Sequence, residues 1–527
     1  MNPERSEAHR AAAGVSGRRV VGAAGLLAGS VLLARILGYA RDALFASEVG
    51  LGPLADAYFA AFMIPDILGY LLAAGAATIA VTPPYLKRLE ERGPEAAADF
   101  ASVVVGSVGT LSFGLTIVLW IYAEPLVRVQ FDQFDEVTLA QTVHLMRIVL
   151  PAQIFFLTGG VLRGVLMAHG RFGPQAWAAV LYSFMPIAGG LLIGGAQGFA
   201  WGTLFGAVVG QWAIPALALR RLPGAIGRMR VGVFDADFRE YVWLALPLML
   251  GLGLTTVDEW YEKWIGGQLG AGAIAAITYA RKLMMAPVGV VGQAVGAALL
   301  PSLAALHQRS DVEGFRDLLG RSLRTTLALG IAAAGALALL ARPIVEVLYQ
   351  RRAFGADDTA AVSALLVVLA FAVPGWVVQQ VAVRGFYARG EMWRAMLLST
   401  GVALAVIPLY LWGSSREGVR GLALASATAI SLNAAITVCW LRVRTGAPRL
   451  IPLLETLVRS SLIAGTAAAA TFYGLTQLGH SGERVWLILV GGGGFYALLV
   501  IVAARWLGDA GLRAGIEQIS ARFRRGQ

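Results

Sequence analysis

Residues 20–46 read VVGAAGLLAGSVLLARILGYARDALFA. Crossing a hydrocarbon core takes about 20 apolar residues, and this run exceeds that. It is also too long for the apolar region of a cleaved signal peptide. Arg35 stands in its middle, and Arg41 and Asp42 stand near its end. A polar, basic stretch with Arg5, Arg10, Arg18 and Arg19 precedes it. The reading is a first membrane-spanning helix with charge inside it.

The rest of the chain follows the same pattern. Of 527 residues, 57% are hydrophobic and 14% charged, against about 25% charged in soluble domains. Mean hydropathy is +0.68. These values exclude a soluble globular enzyme, a disordered chain and a coiled coil, and imply a polytopic membrane protein. Apolar runs bounded by Gly, Pro and charge are expected to span near 20–46, 54–82, 96–122, 137–168, 174–194, 198–219, 238–265, 273–304, 320–340, 358–388, 392–412, 421–441, 453–478 and 485–507. The expected fold is all-α and integral to the membrane, with about 14 spans.

Net charge is +11. The basic residues sit mostly between apolar runs, so they read as loop anchors and not as a nucleic-acid surface. With the N-terminus inside, the inner segments carry 27 Arg and Lys and the outer links 7. That asymmetry places both termini in the cytoplasm. The link 341–357, with Arg342, Arg351 and Arg352, is basic although it falls outside.

Two segments look like copies. Arg163-Gly164 followed by Ala168-His169-Gly170 matches Arg384-Gly385 followed by Ala388-Arg389-Gly390, each after a proline (Pro151, Pro374). Thr82-Pro83-Pro84-Tyr85-Leu86 and Leu300-Pro301-Ser302-Leu303-Ala304 form a weaker pair. A six-span offset fits both. The organisation expected is a tail (1–19), an N-lobe (20–219), a linker (220–237), a C-lobe (238–441), two further helices (442–507) and a C-terminal tail (508–527). Parallel repeats of this kind are a transporter architecture with substrate held at the repeat interface.

Nine basic residues lie within spans: Arg35, Arg41, Arg147, Arg163, Lys263, Arg281, Lys282, Arg384 and Arg459. A charge in hydrocarbon costs about 2.5–3.5 kcal/mol on insertion scales unless it snorkels. Arg35 and Arg41, about 9 Å apart along the axis, are candidates for reading an elongated anion. Asp56, across the Gly50-Leu51-Gly52-Pro53 turn, is a candidate partner for Arg41, and Asp66 lies deeper. Asp56 also suits a helix N-terminus with no further role. Asp258 and Glu262 share a helix face as a like-charge pair, costly unless a cation or proton sits between them. That makes them a candidate ion or proton site, while Glu259 and Lys263 read as a local ion pair. Of Arg281 and Lys282, one is expected to face the lobe interface and the other an acid of span seven. Arg163 and Arg384 read as snorkelling anchors.

No P-loop and no H-E-x-x-H is present, and the single cysteine, Cys439, permits no intrachain disulfide and no cysteine-based metal site. No cofactor, metal or catalytic residue is expected. Work would come from a Na+ or H+ gradient, the membrane potential or mass action.

The segment Leu33-Ala34-Arg35-Ile36-Leu37-Gly38-Tyr39-Ala40-Arg41-Asp42 resembles the first helix of the MurJ/MviN family. Asp56-Ala57-Tyr58-Phe59, Met63-Ile64-Pro65, Ala73-Ala74-Gly75-Ala76, Thr82-Pro83, Tyr279-Ala280-Arg281-Lys282-Leu283-Met284, Pro287-Val288-Gly289 and Leu299-Leu300-Pro301-Ser302-Leu303 resemble other family segments. The resemblance implies a flippase of the MOP superfamily in the bacterial inner membrane. It would have two six-helix lobes, a cationic cavity for pyrophosphate and sugar, and a groove at the last two helices for the polyprenyl tail. Arg35, Arg41 and Asp56 match family cavity residues. The chain departs from the family at Gly69-Tyr70, where paired arginines are usual, at Ala74, where a glutamate is usual, and at Arg281-Lys282, where Asp-Arg is usual.

The function expected is translocation of a polyprenyl-pyrophosphate-linked glycan, like the lipid II precursor of peptidoglycan, by alternating access. Arg35, Arg41, Asp56, Asp66, Lys282 and Arg281 would contact it. The partners expected are the lipid-linked glycan, the bilayer and cell-wall synthesis proteins. The alternatives are a flippase for another lipid-linked oligosaccharide, a drug or cation antiporter of the same superfamily, and a non-transporting envelope scaffold.

Overall fold

The structure, a computed structural model, describes residues 3–71, 76–222, 224–253, 257–478 and 485–514. Ala74, the link with Arg484 and the tail beyond residue 514 lie outside the described residues. Every regular element among those described is helical. The first half runs α1 (Pro3–Val49), α2 (Pro53–Ala61), α3 (Met63–Leu71), α4 (Ala76–Arg92), α5 (Pro94–Ile121), α6 (Ala123–Gln130), α7 (Glu136–Val149), α8 (Ala152–Ala168), α9 (Gly173–Ile193), α10 (Gly195–Gly206), a π-helical turn (Ala207–Ala213) and α11 (Ile214–Leu219). The second half runs α12 (Ala236–Gly253), α13 (Val257–Gly266), α14 (Ala273–Gln308), α15 (Val312–Leu339), α16 (Ala341–Tyr349), α17 (Ala356–Ala370), α18 (Val373–Tyr387), α19 (Met392–Ala405), α20 (Ile407–Thr445), α21 (Leu450–Leu478), α22 (Val485–Leu487), a second π turn (Ile488–Gly492) and α23 (Gly493–Leu507).

The helices gather into two compact units. Unit 1 is Met1–Val49 with Ala60–Gly253, and unit 2 is Gly50–Phe59 with Leu254–Gln527. In unit 1 the core lies between α4, α5 and α8, where Tyr85, Phe100 and Val161 are fully buried. In unit 2 it lies between α15, α18 and α20, where Leu319, Val381 and Leu441 are fully buried.

The two units repeat one order of elements. A helix of 28 residues (α5, α15) is followed by a short one of 8 or 9 (α6, α16). A pair broken beside proline comes next: α7–α8 at Pro151, and α17–α18 at Pro374, where the bend is 44°. Each series ends in a helical hairpin. In unit 1 the chain reverses at Gly194 and Gly195, both left-handed, and Gly189 meets Gly198. In unit 2 it reverses inside α20 at Gly418, and Gly413 meets Gly421. In hydrocarbon no hydrophobic force draws helices together, so close packing through residues without side chains holds such pairs.

The structure is a multi-pass helical membrane protein. Among the described residues, nine helices are long and apolar enough to cross a bilayer, or ten if the bent pair α17–α18 counts as one. Expected span 54–82 is interrupted at Phe62, between α2 and α3, span 137–168 beside Pro151, and span 358–388 beside Pro374; the joins of α3 to α4 and of α12 to α13 lie outside the described residues. Conversely, Met392–Thr445 passes as one helix although it doubles back at Gly418. Arg351, in the basic link 341–357, donates to the carbonyls of Val347 and Leu348 at 2.8 and 3.1 Å. It therefore caps the C-terminus of α16.

A methyl on Gly421 would lie 1.9 Å from the Gly413 carbonyl oxygen, whereas one on Gly114 would meet nothing within 4 Å. Gly421→Ala should therefore destabilise the detergent-solubilised protein by about 1–3 kcal/mol. Gly114→Ala should be neutral or stabilising by up to about 1 kcal/mol. Thermal unfolding of the two variants checks both values.

Candidate functional site

Six charges converge on two helices of unit 2. Helix α13 carries Asp258, Glu259, Glu262 and Lys263, and α14 carries Arg281 and Lys282. Arg281 and Glu262 are both buried. Arg281 Nε donates to Glu262 Oε2 at 2.5 Å, and Nη2 donates to Oε1 at 2.7 Å, a bidentate fork. The same Nη2 donates to Asp258 Oδ2 at 2.5 Å and to Ser426 Oγ at 3.2 Å. Asp258 Oδ1 in turn accepts the Tyr410 hydroxyl and, at 3.5 Å, that of Ser426. Where an ion or proton site is expected between Asp258 and Glu262, the guanidinium of Arg281 stands between the two carboxylates. Lys263 Nζ pairs with Glu259 at 2.9 Å.

Helix α2 fixes the start of α14. Asp56, 1% exposed, accepts the backbone N–H groups of Gly272 at 2.6 Å and Ala275 at 2.7 Å. Its charge lies where the unpaired donors and the positive end of the helix dipole favour an anion. Phe59, one turn along α2, presents its ring 4.8 Å from Lys282 Nζ, a cation–π contact. Asp56 and Phe59 therefore place α14 so that Arg281 meets the carboxylates of α13.

Unit 1 holds the other sequence-predicted residues. Arg35 is half-buried on α1, within electrostatic reach of Tyr39 one turn on. Arg41 hydrogen-bonds its neighbour Asp42 through Nε at 3.0 Å and Nη2 at 2.9 Å. Tyr182, on α9, is within electrostatic reach of both Arg41 and Asp66. Arg41, Asp66 and Tyr182 thus form one polar locus.

Arg163 does not snorkel. It is buried, and its Nη1 donates to the Gln211 backbone carbonyl at 2.9 Å and to Gln211 Oε1 at 2.7 Å. Gln211 sits in the π turn, where the usual helical hydrogen-bond register is broken. Arg384 instead folds back on its own helix, with Nε 3.2 Å from the Gln380 carbonyl.

Three participants escaped the sequence reading: Ser426, Tyr410 and Gln211. Each is a polar side chain in an apolar run, and the need of a buried hydroxyl or amide for a partner is the available signal. Two further features adjoin the unit 2 cluster or its helices. A cavity of about 50 Å³ lies beside Asp258, Tyr261, Tyr410 and Asn433, and the Asn433 Oδ1 is buried without a hydrogen bond. An apolar groove of about 740 Å³ runs along α15, α18, α20 and α21, lined by Ile331, Phe371, Val438 and Leu457 among others. Among the described residues, no group of three or more His, Cys, Asp or Glu side chains is placed to hold a metal.

The fold and the buried charges define a polytopic membrane protein of transporter type. Its fold is similar to that of an inward-facing multidrug transporter of the MATE family in the MOP superfamily, with a TM-score of 0.65, 17% identity, and coverage of 78% of this chain and 94% of that one. It is also similar to a lipid II flippase MurJ in an inward closed conformation, with a TM-score of 0.75, 21% identity, and coverage of 91% and 99%. Residues 45–488 match the family described as "Lipid II flippase MurJ". A probable lipid II flippase MurJ of Rhizobium tropici is 31% identical over 77% of this chain and 78% of that protein. One of Bdellovibrio bacteriovorus is 28% identical over 96% and 97%. The chain belongs to the MurJ family.

Arg281→Ala would leave Asp258 and Glu262 facing each other without their counter-charge. Removing one partner of a buried ion pair costs about 3–5 kcal/mol. We expect a loss of that size in thermal unfolding, and partial recovery when Glu262→Gln is added. Additive effects of the two substitutions would show that the pair is not coupled.

Proposed function

We propose that this protein is a flippase that moves a polyprenyl-pyrophosphate-linked glycan, lipid II or a close analogue, across the bacterial inner membrane by alternating access. The observation that carries the reading is the family match over residues 45–488. The repeated order of elements supports a 14-span arrangement of two six-helix lobes with two added helices, and the excess of Arg and Lys in alternate links supports cytoplasmic termini. Translocation makes and breaks no covalent bond, so the chain needs binding and release, not catalysis.

Arg35 and Arg41 of unit 1 and Lys282 of unit 2 are the cations we assign to the pyrophosphate. Guanidinium groups fork onto phosphate oxygens, and an ammonium adds a point charge. Asp66, sharing the locus of Arg41 and Tyr182, would balance the charge when substrate is absent. Arg281 has a different role in this reading. Its fork already holds Glu262 and Asp258, so it acts as a resident counter-ion. Na+ or H+ reaching Asp258 through the adjoining 50 Å³ cavity would compete with it and loosen α14 from α13. Asp56 keeps the start of α14 in place through the cycle. The polyprenyl tail would lie in the groove along α21, and cell-wall synthesis proteins would take the product.

Arg35→Ala and Arg41→Ala should abolish flipping of lipid-linked glycan in proteoliposomes and fail to rescue flippase-depleted cells. Arg35→Ala should keep the wild-type unfolding temperature within a few degrees, whereas Arg41→Ala, which leaves buried Asp42 without its ion-pair partner, should lower it. Retained flipping by both variants would remove them from the headgroup site.

A further inference from the structure

The chain between α11 and α12 is seated on unit 1. Residues 224–235 form no helix and lie along the first half of α5. The Gly227 N–H donates to the Ala98 carbonyl at 3.4 Å, and the Gly232 N–H donates to Ser107 Oγ at 3.0 Å. Ala98 and Ser107 stand about 13 Å apart along the helix axis, so the five residues between these bonds are nearly extended. Midway, the Arg230 carbonyl rests on Gly106, where a methyl would lie 2.2 Å from its oxygen. The hydroxyl of buried Tyr85, on α4, donates to the Ala225 carbonyl at 3.1 Å. Under this strap α5 is buried all round from Phe100 to Ser107, whereas beyond Thr110 it is mostly exposed.

The strap ends in a clamp. Asp235, just before α12, accepts the Asp237 N–H at 3.0 Å. Asp237 and Glu240, in the first turns of α12, then bracket Arg88 of α4. Arg88 Nη2 donates to Asp237 Oδ1 at 2.5 Å and to Glu240 Oε2 at 2.7 Å. Its guanidinium lies over the Phe100 ring, 4.3 Å from the centroid, a cation–π contact. The Arg88 side chain is only 11% exposed, so salt screens the clamp weakly. Further along α12, Phe238, Tyr241 and Ala245 recur at helical spacing and are buried in the core of unit 1. By the repeat α12 opens the second series of helices, but by packing it belongs to unit 1.

We infer that Arg88 is a positioning residue for transport: with the strap it binds the first turns of α12 to α4 and α5, so that α12 travels with unit 1 when access alternates. Packed helices can ratchet past one another by one turn, about 5.4 Å. An apolar face accepts such a slip, whereas the guanidinium meets both carboxylates in one register only. The clamp therefore fixes the height of α12 on unit 1. Without it, Asp237 and Glu240 would be like charges beside an aromatic ring. The transport role rests on the flippase reading. The anchoring does not, because every group in it lies in unit 1.

The test uses the full-length protein. A methyl on Gly227 would lie 3.2 Å from Ser102 Oγ, so Ser102→Cys with Gly227→Cys brings two thiols within disulfide reach. Against a Cys439→Ser parent, this pair should cross-link on mild oxidation. The locked protein should flip lipid II in proteoliposomes at the rate of its reduced form. Hydrogen exchange in detergent should show residues 224–245 protected in the wild type. Loss of one charge-assisted clamp predicts about tenfold faster exchange there in Arg88→Ala, with α8 unchanged. Flipping by Arg88→Ala should fall about tenfold, and Arg88→Lys should restore most of both readouts. A pair that does not cross-link, or a lock that stops flipping, would overturn the assignment. So would exchange in Arg88→Ala that is unchanged, or raised equally in α8, and so would full flipping by that variant. A wild type that moves no lipid II fails the flippase reading instead, while cross-linking and exchange still decide whether Arg88 anchors α12.

Discussion

The guanidinium of Arg281 sits between two carboxylates that one face of α13 cannot otherwise carry. Hydrocarbon does not solvate charge, and the cost of an unpaired ion there is several kcal/mol. Much of unit 2 is arranged to meet that demand. Asp56 caps α14 so that Arg281 is delivered at the right height. Ser426 on α20 and Tyr410 complete the coordination of Asp258. Lys263 neutralises Glu259 beside them. Three acids and three bases close on two helices, and the cluster carries no net charge.

Unit 1 meets the same constraint by different means. Arg41 turns to the adjacent Asp42, and Arg163 finds a neutral partner in a carbonyl that the π turn at Ala207–Ala213 presents. Gly159 makes this approach possible, since a methyl there would lie 2.1 Å from the same carbonyl oxygen. The hairpins of both units show the backbone side of the problem. Helices without a hydrophobic drive to associate are held where Gly189 meets Gly198 and where Gly413 meets Gly421. A repeat visible as Arg-Gly pairs in the chain is thus also a repeat of long helix, short helix, proline break and glycine hairpin.

Much of this was legible beforehand. Length, hydropathy and charge scarcity require a helical membrane protein, because no other backbone arrangement but a closed barrel satisfies its own polar groups in lipid. Asp258 and Glu262 fall on one face by helical spacing alone, which shows a like-charge pair in need of compensation but not that Arg281 supplies it. Glu259 and Lys263 pair as their spacing indicates. The number of spans was less legible. Hydropathy sees apolar runs but not the breaks at Phe62 and beside Pro151 and Pro374, nor the reversal at Gly418 inside a single apolar stretch.

The sequence by itself determined the medium the chain lives in, its helical class and the small set of charges that lipid would have to tolerate. These follow from composition and from spacing along one helix, which are local properties. Only the tertiary structure decided which charge answers which. Arg281 lies 19 residues from Glu262 and 145 from Ser426, and Asp56 lies 216 from Gly272. Such pairs are chosen by how helices pack, and packing is set by glycines, proline breaks and π turns whose effect depends on the neighbour they meet.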